Sequence, residues 1–191
     1  MTTATPKYNG HVFVRGATVE NTLFYMGSLL TVLASSEETN NGFTFLEYRS
    51  QPGHEPPPHI HINQDELIYV LDGEIEAYCQ GEKVVVRSGE CIFLPRNEAH
   101  AWYVLSPQLR MLFMTQPGGL DDYFSAMAST PATSMELPSA SITYALDDPA
   151  HAIKVGMNHG IRILTPDETK ELLPHYPGFG IPASARMNAE K

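Results

Sequence analysis

The chain has 191 residues, and its 12 lysines and arginines against 22 aspartates and glutamates give a formal net charge of −10. Hydrophobic residues make up 42% and charged residues 18%, which is typical of a folded globular chain rather than a disordered one. The acidic excess argues against nucleic acid and against an anionic membrane surface as partners, because both require clustered positive charge. We recognise no signal peptide and no apolar run of the ~18 residues that a membrane span needs, so we expect a cytoplasmic protein.

The 15 prolines and 14 glycines favour short elements and many turns over a helical bundle. The apolar and β-branched pattern predicts strands over 11–15, over about 22–34 with a bend at Gly27, and over 43–49. After a proline run at 56–58, short apolar segments from 60 to 116 are broken by turn signals, which is typical of a barrel or sandwich. Cys79 and Cys91 are too few for a disulfide framework, and we expect both to be small buried residues on strands.

The sequence pattern changes from strand-like to helical after Gly119, and three helices are predicted in the rest of the chain. The first covers about 120–128. The second is opened by Asp148 and Pro149 as N-cap and N1 and runs to about 158, and the third is opened by a capping box, Thr165 to Glu168, and runs to about 173. We therefore predict one domain over 1–191, with a β core at about 10–117 and a helical, loop-rich tail at about 118–191 that packs on the core or covers one end of it.

Four residues in the β core form a candidate metal site, namely His59, His61, Glu66 and His100. His59 and His61 are two residues apart, so on a strand both imidazoles point to one face. Glu66 opens the next predicted strand and His100 opens a later one. Three neutral imidazoles and one carboxylate are a suitable set for a divalent transition metal, and four protein ligands on a metal that prefers six leave positions for substrate or water.

The spacing of these residues is more specific than their types. Gly-x5-His-x-His-x4-Glu-x6-Gly runs from Gly53 to Gly73, and Gly-x5-Pro-x-Asn-x2-His runs from Gly89 to His100. Both segments resemble the signature motifs of the cupin superfamily, which implies an all-β, jelly-roll-like barrel with a short C-terminal helical extension. All four ligand positions match. Asn97 stands where the family has a glycine, a mild change because Asn tolerates left-handed backbone, and Val104 stands where the family usually has an asparagine.

The strands around the ligands predict an apolar substrate pocket. Residues an even number of positions from a ligand on the same strand have the same parity and should share its face. On the last predicted strand, Leu109, Met111 and Phe113 alternate in the same way and should also share one face. The predicted pocket residues are Ile68, Val70, Trp102, Met111 and Phe113, whereas Arg110 has the opposite parity and should point outward. A cavity without cationic side chains suits a flat aromatic substrate better than a sugar phosphate or a dicarboxylate.

Beyond the cupin motifs, the chain resembles the bacterial single-cupin flavonol dioxygenases, or quercetinases. The resemblance lies in three segments, 57–73, 94–102 and 118–124, the last of which enters the first tail helix. It implies opening of the flavonol heterocycle by O2 with release of carbon monoxide. Glu66 would then be the catalytic base as well as a ligand, and the partners would be a flavonol and O2. The resemblance implies that the metal is nickel, cobalt, manganese, iron or copper, with nickel or cobalt favoured. The ligand types alone do not distinguish among these metals.

Two other classes of function stay open from the sequence. One is another metal-dependent cupin enzyme, such as a dioxygenase of a different aromatic or enol substrate, or an isomerase. The second is a cupin that binds a small molecule without catalysis, although a pure binder has no need of all four ligands. We also expect a homodimer, because residues 111–114 are apolar on both parities and one face of that strand needs cover.

Overall fold

The computed structural model describes residues 10–127, 130–139 and 149–179, and these form two antiparallel sheets with short helices. The strands before the tail are β1 (Thr22–Tyr25), β2 (Ser28–Ala34), β3 (Thr44–Ser50), β4 (His59–His61), β5 (Asp65–Asp72), β6 (Glu74–Cys79), β7 (Glu82–Arg87), β8 (Cys91–Leu94), β9 (Ala99–Val104) and β10 (Leu109–Gln116). The tail contributes α1 (Leu120–Met127), β11 (Thr130–Pro131), α2 (Pro149–Asn158), β12 (Ile161–Ile163) and α3 (Pro166–Leu172), and a 3-10 turn (Val19–Asn21) precedes β1.

One sheet has the order β11-β1-β2-β3-β10-β5-β8, and the other has the order β12-β4-β9-β6-β7. Along β10 the residues alternate between buried and more exposed from Leu109 onward, as expected for a strand with one face on a core. Both sheets contribute to one hydrophobic cluster, which includes Ile68 and Met111 from the first and Ile75 and Trp102 from the second. The prediction of an all-β, cupin-like fold is therefore confirmed.

Local sequence explains several element ends. Met26 and Gly27 both have positive φ, 48° and 82°, so the predicted bend is a two-residue hairpin turn that divides the expected 22–34 strand into β1 and β2. The capping box of α3 is present: the Thr165 side chain accepts a hydrogen bond from the Glu168 amide at 3.3 Å, and the Glu168 carboxylate accepts one from the Thr165 amide at 2.9 Å. Asn97 has a φ of 65°, the left-handed conformation expected where the family has glycine.

The tail differs from its prediction in one respect that matters for the site. The three predicted helices are present as α1, α2 and α3, although Asp148 and Ala128 lie outside the described residues. Between α2 and α3 the chain adds a strand, β12, which pairs antiparallel with β4. Its residues Ile161 and Ile163 lie opposite His61 and His59, so the tail extends the sheet that carries two of the candidate ligands.

Two sequence predictions are wrong. Residues 11–15 form no strand, because they pair with no strand among the residues that the structure describes, and Val12 and Val14 are almost fully exposed. The two cysteines are not both buried as expected. Cys91 is exposed, because its side chain lies on the outer face of its sheet, and Cys79 is half-buried. Burial raises the pKa of the Cys79 thiol to about 11. None of the helices in the described part of the chain is long and apolar enough to cross a membrane.

Candidate metal centre and adjoining cavity

The four predicted ligands converge between the two sheets. His59 on β4 and His100 on β9 are direct cross-strand partners, so their side chains lie on the same face. His61 is two residues further along β4 and shares that face, while Glu66 reaches in from β5 of the other sheet. One ligand atom from each residue lies within 4.8 Å of all the others. His61, Glu66 and His100 are buried, and His59 keeps part of its surface open toward a cavity.

Backbone carbonyls fix the chemical form of two of the imidazoles. His59 Nδ1 lies 2.8 Å from the carbonyl oxygen of Pro57, and His100 Nδ1 lies 3.2 Å from that of Glu98. A carbonyl only accepts, so each Nδ1 carries the proton and each Nε2 carries a lone pair. The two Nε2 atoms are 3.1 Å apart, and with two lone pairs facing each other this is a convergence of ligands rather than a hydrogen bond.

The side chain of Gln64 fixes the position of the proton on the third imidazole, that of His61. Gln64 is buried, and its Nε2 donates to the carbonyl oxygen of Gly118 at 2.8 Å. The amide is thereby oriented with Oε1 toward His61, whose Nδ1 lies 3.4 Å away. His61 Nε2 then points toward the same centre, 3.2 Å from His59 Nε2 and 3.1 Å from Glu66 Oε2.

The electrostatics favour a neutral imidazole beside an ionised carboxylate. Burial lowers the pKa of His59 well below its ordinary value, and the charges that His100 and His61 would carry lower it further. Burial alone would raise the pKa of the Glu66 carboxyl, but its contacts with His100 and His61 outweigh burial and hold the pKa below its usual range. A neutral His59 imidazole and an ionised Glu66 carboxylate are the forms of these two residues that bind metal.

The donor set and its surroundings fit a divalent metal ion. Three aligned imidazole nitrogens and one carboxylate oxygen are ligands that first-row transition metals accept. Thr115 lies directly opposite Glu66 across the β10–β5 pairing and therefore on the same face, and its buried hydroxyl makes no hydrogen bond to any described residue. That hydroxyl is left without a partner that a metal-bound water in an occupied site would supply. The buried His3Glu cluster can thus hold a divalent metal.

A cavity opens beside the centre, and its walls are predominantly apolar and aromatic. His59, His61 and Glu66 form one part of its lining. The other lining residues are Tyr25, Pro56, Pro57, Trp102, Phe113, Leu120, Tyr123, Phe124, Ile161 and Ile163. The cavity volume is about 50 Å³.

The predicted pocket residues divide into two groups. Trp102 and Phe113 line the cavity. Ile68, Val70 and Met111 point inward as their parity indicates, but they are fully buried in the main core cluster and lie outside the cavity lining. For Val70 and Met111, which are cross-strand partners, the physical reason is depth, because each further pair of residues along a strand moves a side chain about 6.6 Å away from the metal centre. Ile68 lies at the level of its cross-strand partner Phe113, and depth does not explain its absence from the lining. Arg110 points outward as expected, with its guanidinium 2.8 Å from Glu47.

Sequence reasoning missed the part of the cavity wall that comes from the hairpin β1–β2 and from the tail. Leu120, Tyr123 and Phe124 share one face of α1 because they are three and four residues apart, and that spacing was readable in the sequence. Ile161 and Ile163 alternate on β12, which is too short to be recognised from its pattern. No local signal placed Tyr25 at the cavity, because its position depends on how β1 packs against α1.

Comparison with known families finds a match for the β core of the chain. Residues 46–115 match the Cupin_2 family, described as a cupin domain. The matched segment contains all four candidate ligands and the strands that carry them. Over that segment the chain is similar to the cupin domain.

The chain is also similar to a bacterial quercetin 2,3-dioxygenase. It is 27% identical to the "Quercetin 2,3-dioxygenase" of Bacillus subtilis (strain 168) over 124 residues, which cover 65% of this chain and 36% of that protein. It is 34% identical to the "Acetate kinase EutQ" of Clostridioides difficile (strain 630) over 56 residues, 29% of this chain and 35% of that protein. The chain thus spans about a third of the length of the curated relatives it matches.

Among solved structures, a predicted oxalate decarboxylase from Thermotoga maritima is similar to this chain with a TM-score of 0.48 and 21% identity. The similarity covers 56% of this chain and 99% of that one.

Proposed function

We propose that the protein is a metal-dependent dioxygenase that opens the heterocyclic ring of a flavonol such as quercetin with O2 and releases carbon monoxide. The observation that carries the proposal is the convergence of His59, His61, Glu66 and His100 beside an apolar, aromatic cavity. The similarity to a bacterial quercetin 2,3-dioxygenase supports the same reaction. The ligand types accept several divalent metals, and the resemblance favours nickel or cobalt, with manganese, iron and copper as alternatives.

A divalent ion held by the four ligands would act as a Lewis acid that acidifies a substrate hydroxyl. Glu66 is the residue that accepts the proton in this proposal. Its carboxylate is ionised, it lies at the edge of the cavity, and it is the one acidic side chain among the lining residues. The three imidazoles keep their orientation through carbonyl contacts at Nδ1, so a movement of Glu66 does not disturb them.

The cavity walls contribute orientation and exclusion of water. The rings of Trp102, Phe113 and Phe124 line the space next to the ligands, and flat surfaces of this kind select a planar aromatic body. No arginine or lysine occurs among the lining residues, so a phosphate or dicarboxylate ligand would lack a charged partner there. The partly exposed lining residues, Pro56, Pro57, Phe124 and Ile163, mark where a substrate enters.

The size of the cavity favours a second candidate. A flavonol is larger than a cavity of about 50 Å³, so side chains at the entrance must move apart when it binds. A smaller aromatic or enol compound would fit with less movement. The second candidate is therefore a cupin dioxygenase with the same ligands and the same role for Glu66, acting on a smaller enol substrate.

Oxygen uptake distinguishes these candidates. Purified protein would be analysed for metal, loaded with nickel or cobalt, and mixed with quercetin while flavonol absorbance, dissolved O2 and released carbon monoxide are followed. The proposal expects equal amounts of flavonol and O2 to be consumed and of carbon monoxide to be formed, with the metal-stripped protein as control. O2 uptake with a small enol but not with quercetin would favour the second candidate, and no metal-dependent O2 uptake with either would refute both.

A further inference from the structure

Two tyrosines provide the main polar groups in the cavity wall apart from the metal ligands. Tyr25 is the last residue of β1 and Tyr123 lies on α1, and both side chains are buried. Their hydroxyl oxygens are 3.2 Å apart and hydrogen-bonded to each other. Both residues line the same cavity as His59, His61 and Glu66.

The tyrosine pair has one hydroxyl proton that the hydrogen bond between the two side chains does not use. Two hydroxyl groups carry two protons, and the bond between them uses one. Neither hydroxyl makes another hydrogen bond within the described part of the chain, so the second proton is free to be donated to a molecule in the cavity. Burial raises the pKa of both tyrosines, so the pair stays neutral and keeps both protons.

The rings hold the pair in place. Phe124 packs edge-on against both tyrosines, with ring centroids 5.2 Å from each. The two tyrosine rings also meet edge-on, at 6.5 Å. With three aromatic rings fixed against one another, the hydroxyl groups point to a defined place rather than to an average over rotamers.

We propose that Tyr25 and Tyr123 form a substrate-positioning site that binds a hydroxyl or carbonyl oxygen on the aromatic body of the substrate, separate from the oxygen that meets the metal centre. This inference rests on the proposed function, because it concerns the second point at which the same substrate is held. It predicts a preference for flavonols that carry ring hydroxyls over unsubstituted flavonol, whose oxygens are confined to the heterocycle and its carbonyl and hydroxyl.

The test is a comparison of two ligands and four proteins under nitrogen. Metal-loaded protein would be titrated with quercetin or with unsubstituted flavonol, and binding followed through Trp102, the one tryptophan of the chain and itself part of the cavity wall. The proteins are the wild type, Tyr123→Phe, the double variant Tyr25→Phe/Tyr123→Phe, and Tyr48→Phe as control. Tyr48 is a buried tyrosine whose hydroxyl bonds to Ser28 and which lies outside the cavity lining.

The double variant is the decisive one, because a single variant leaves one hydroxyl that still donates. Removing both partners of a hydrogen bond while keeping both rings is nearly neutral for stability, and the double variant should therefore fold. We expect the wild type and Tyr48→Phe to bind quercetin roughly threefold to tenfold more tightly than unsubstituted flavonol, the value of one hydrogen bond. The double variant should lose that preference, with unchanged affinity for unsubstituted flavonol, and Tyr123→Phe should fall between.

Oxygen uptake in air separates failure of this inference from failure of the proposed function. The positioning role is overturned if the double variant still prefers quercetin over unsubstituted flavonol as the wild type does. It is also overturned if the double variant loses affinity equally for both ligands. Either result is compatible with full turnover of both flavonols by the wild type. Binding that shows the predicted preference without any O2 uptake would refute the dioxygenase reaction while upholding the role of the two tyrosines.

Discussion

At the scale of single residues, the metal centre depends on groups that do not touch the metal position themselves. The carbonyl oxygens of Pro57 and Glu98 and the amide of Gln64 each face an Nδ1 atom. They decide which ring nitrogen bears the proton, and hence that the three Nε2 lone pairs meet at one point. The motif spacing predicted the ligand identities, but it contained nothing about these partners, because two of them are backbone atoms.

His61→Ala tests the ligand set directly. His61 is buried and its Nε2 lies within 3.2 Å of both His59 Nε2 and Glu66 Oε2, so its removal takes one ligand from the centre. We expect the wild type to bind one divalent metal ion per chain and the variant to lose most of it, as measured by elemental analysis after dialysis. His175→Ala, at an exposed position, is the matched control and should keep the wild-type metal content. Full occupancy in His61→Ala would contradict the assignment.

Glu66→Gln separates ligation from proton transfer. The substitution keeps the size of the side chain and one oxygen able to ligate, while it removes the charge that makes Glu66 a base. We expect partial retention of metal and a loss of turnover per bound metal of about 10²-fold or more, the usual effect of removing a positioned base. The measurement is flavonol-dependent O2 uptake normalised to metal content. Wild-type turnover per metal would mean that another group accepts the proton.

At the scale of elements, strand alternation predicted directions well and depths poorly. Parity placed the ligands, Trp102 and Phe113 on the inner face, and the structure puts all of them there. It also put Val70 and Met111 in the pocket, whereas both are buried further along their strands, because alternation gives the face of a residue but not its distance from the site. The cavity wall from α1 and β12 depends on tertiary packing of the tail, and local patterns do not specify such packing.

One pair of elements near the site is joined by an ion pair whose pH dependence can be predicted. Asp65 begins β5, and its carboxylate accepts hydrogen bonds from the backbone amide of Arg96 at 2.9 Å and from its guanidinium at 2.6 Å. The Arg96 side chain, followed by its backbone amide, lowers the pKa of Asp65 to about 2. The pair connects β5 to the turn that contains Asn97 and leads to His100.

Because the pKa of Asp65 is lower in the folded state than its ordinary value of 3.8, the unfolded chain binds more protons between these two values. The stabilisation is complete above about pH 4 and is lost as the pH falls toward about 2. Asp65→Asn should therefore reduce the free energy of unfolding at about pH 7, and the difference from wild type should shrink in acid. Urea unfolding of metal-free protein at several pH values measures this. The control is Asp167→Asn, an exposed carboxylate 3.8 Å from Lys170, and a difference that does not change with pH would refute the prediction.

At the scale of the whole molecule, the sheet that contains β10 has an outer face with an unusual share of apolar side chains. Cross-strand pairing lines up two rows on this face, Phe45–Met114–Leu67–Phe93 and Leu112–Tyr69–Cys91. Phe93 is 58% exposed and Tyr69 is 40% exposed. On β3 the second row continues to Glu47, whose buried carboxylate pairs with the Arg110 guanidinium at 2.8 Å. A contiguous apolar face of this kind is typical of a surface that is covered in the functional state.

We predict that this face joins two copies of the chain in a homodimer, because a twofold contact places the same apolar rows against each other. The wild type should have a mass of twice 21.1 kDa in light scattering at micromolar concentration. Phe93→Glu places a charge at the end of the first apolar row, on the edge strand β8, at a position that is exposed in the single chain. The fold should therefore survive while the dimer dissociates. Val84→Glu is the matched control, since Val84 is 41% exposed but lies on β7 of the other sheet. A monomeric wild type, or a Phe93→Glu variant that stays dimeric while Val84→Glu dissociates, would show that this face is not the interface.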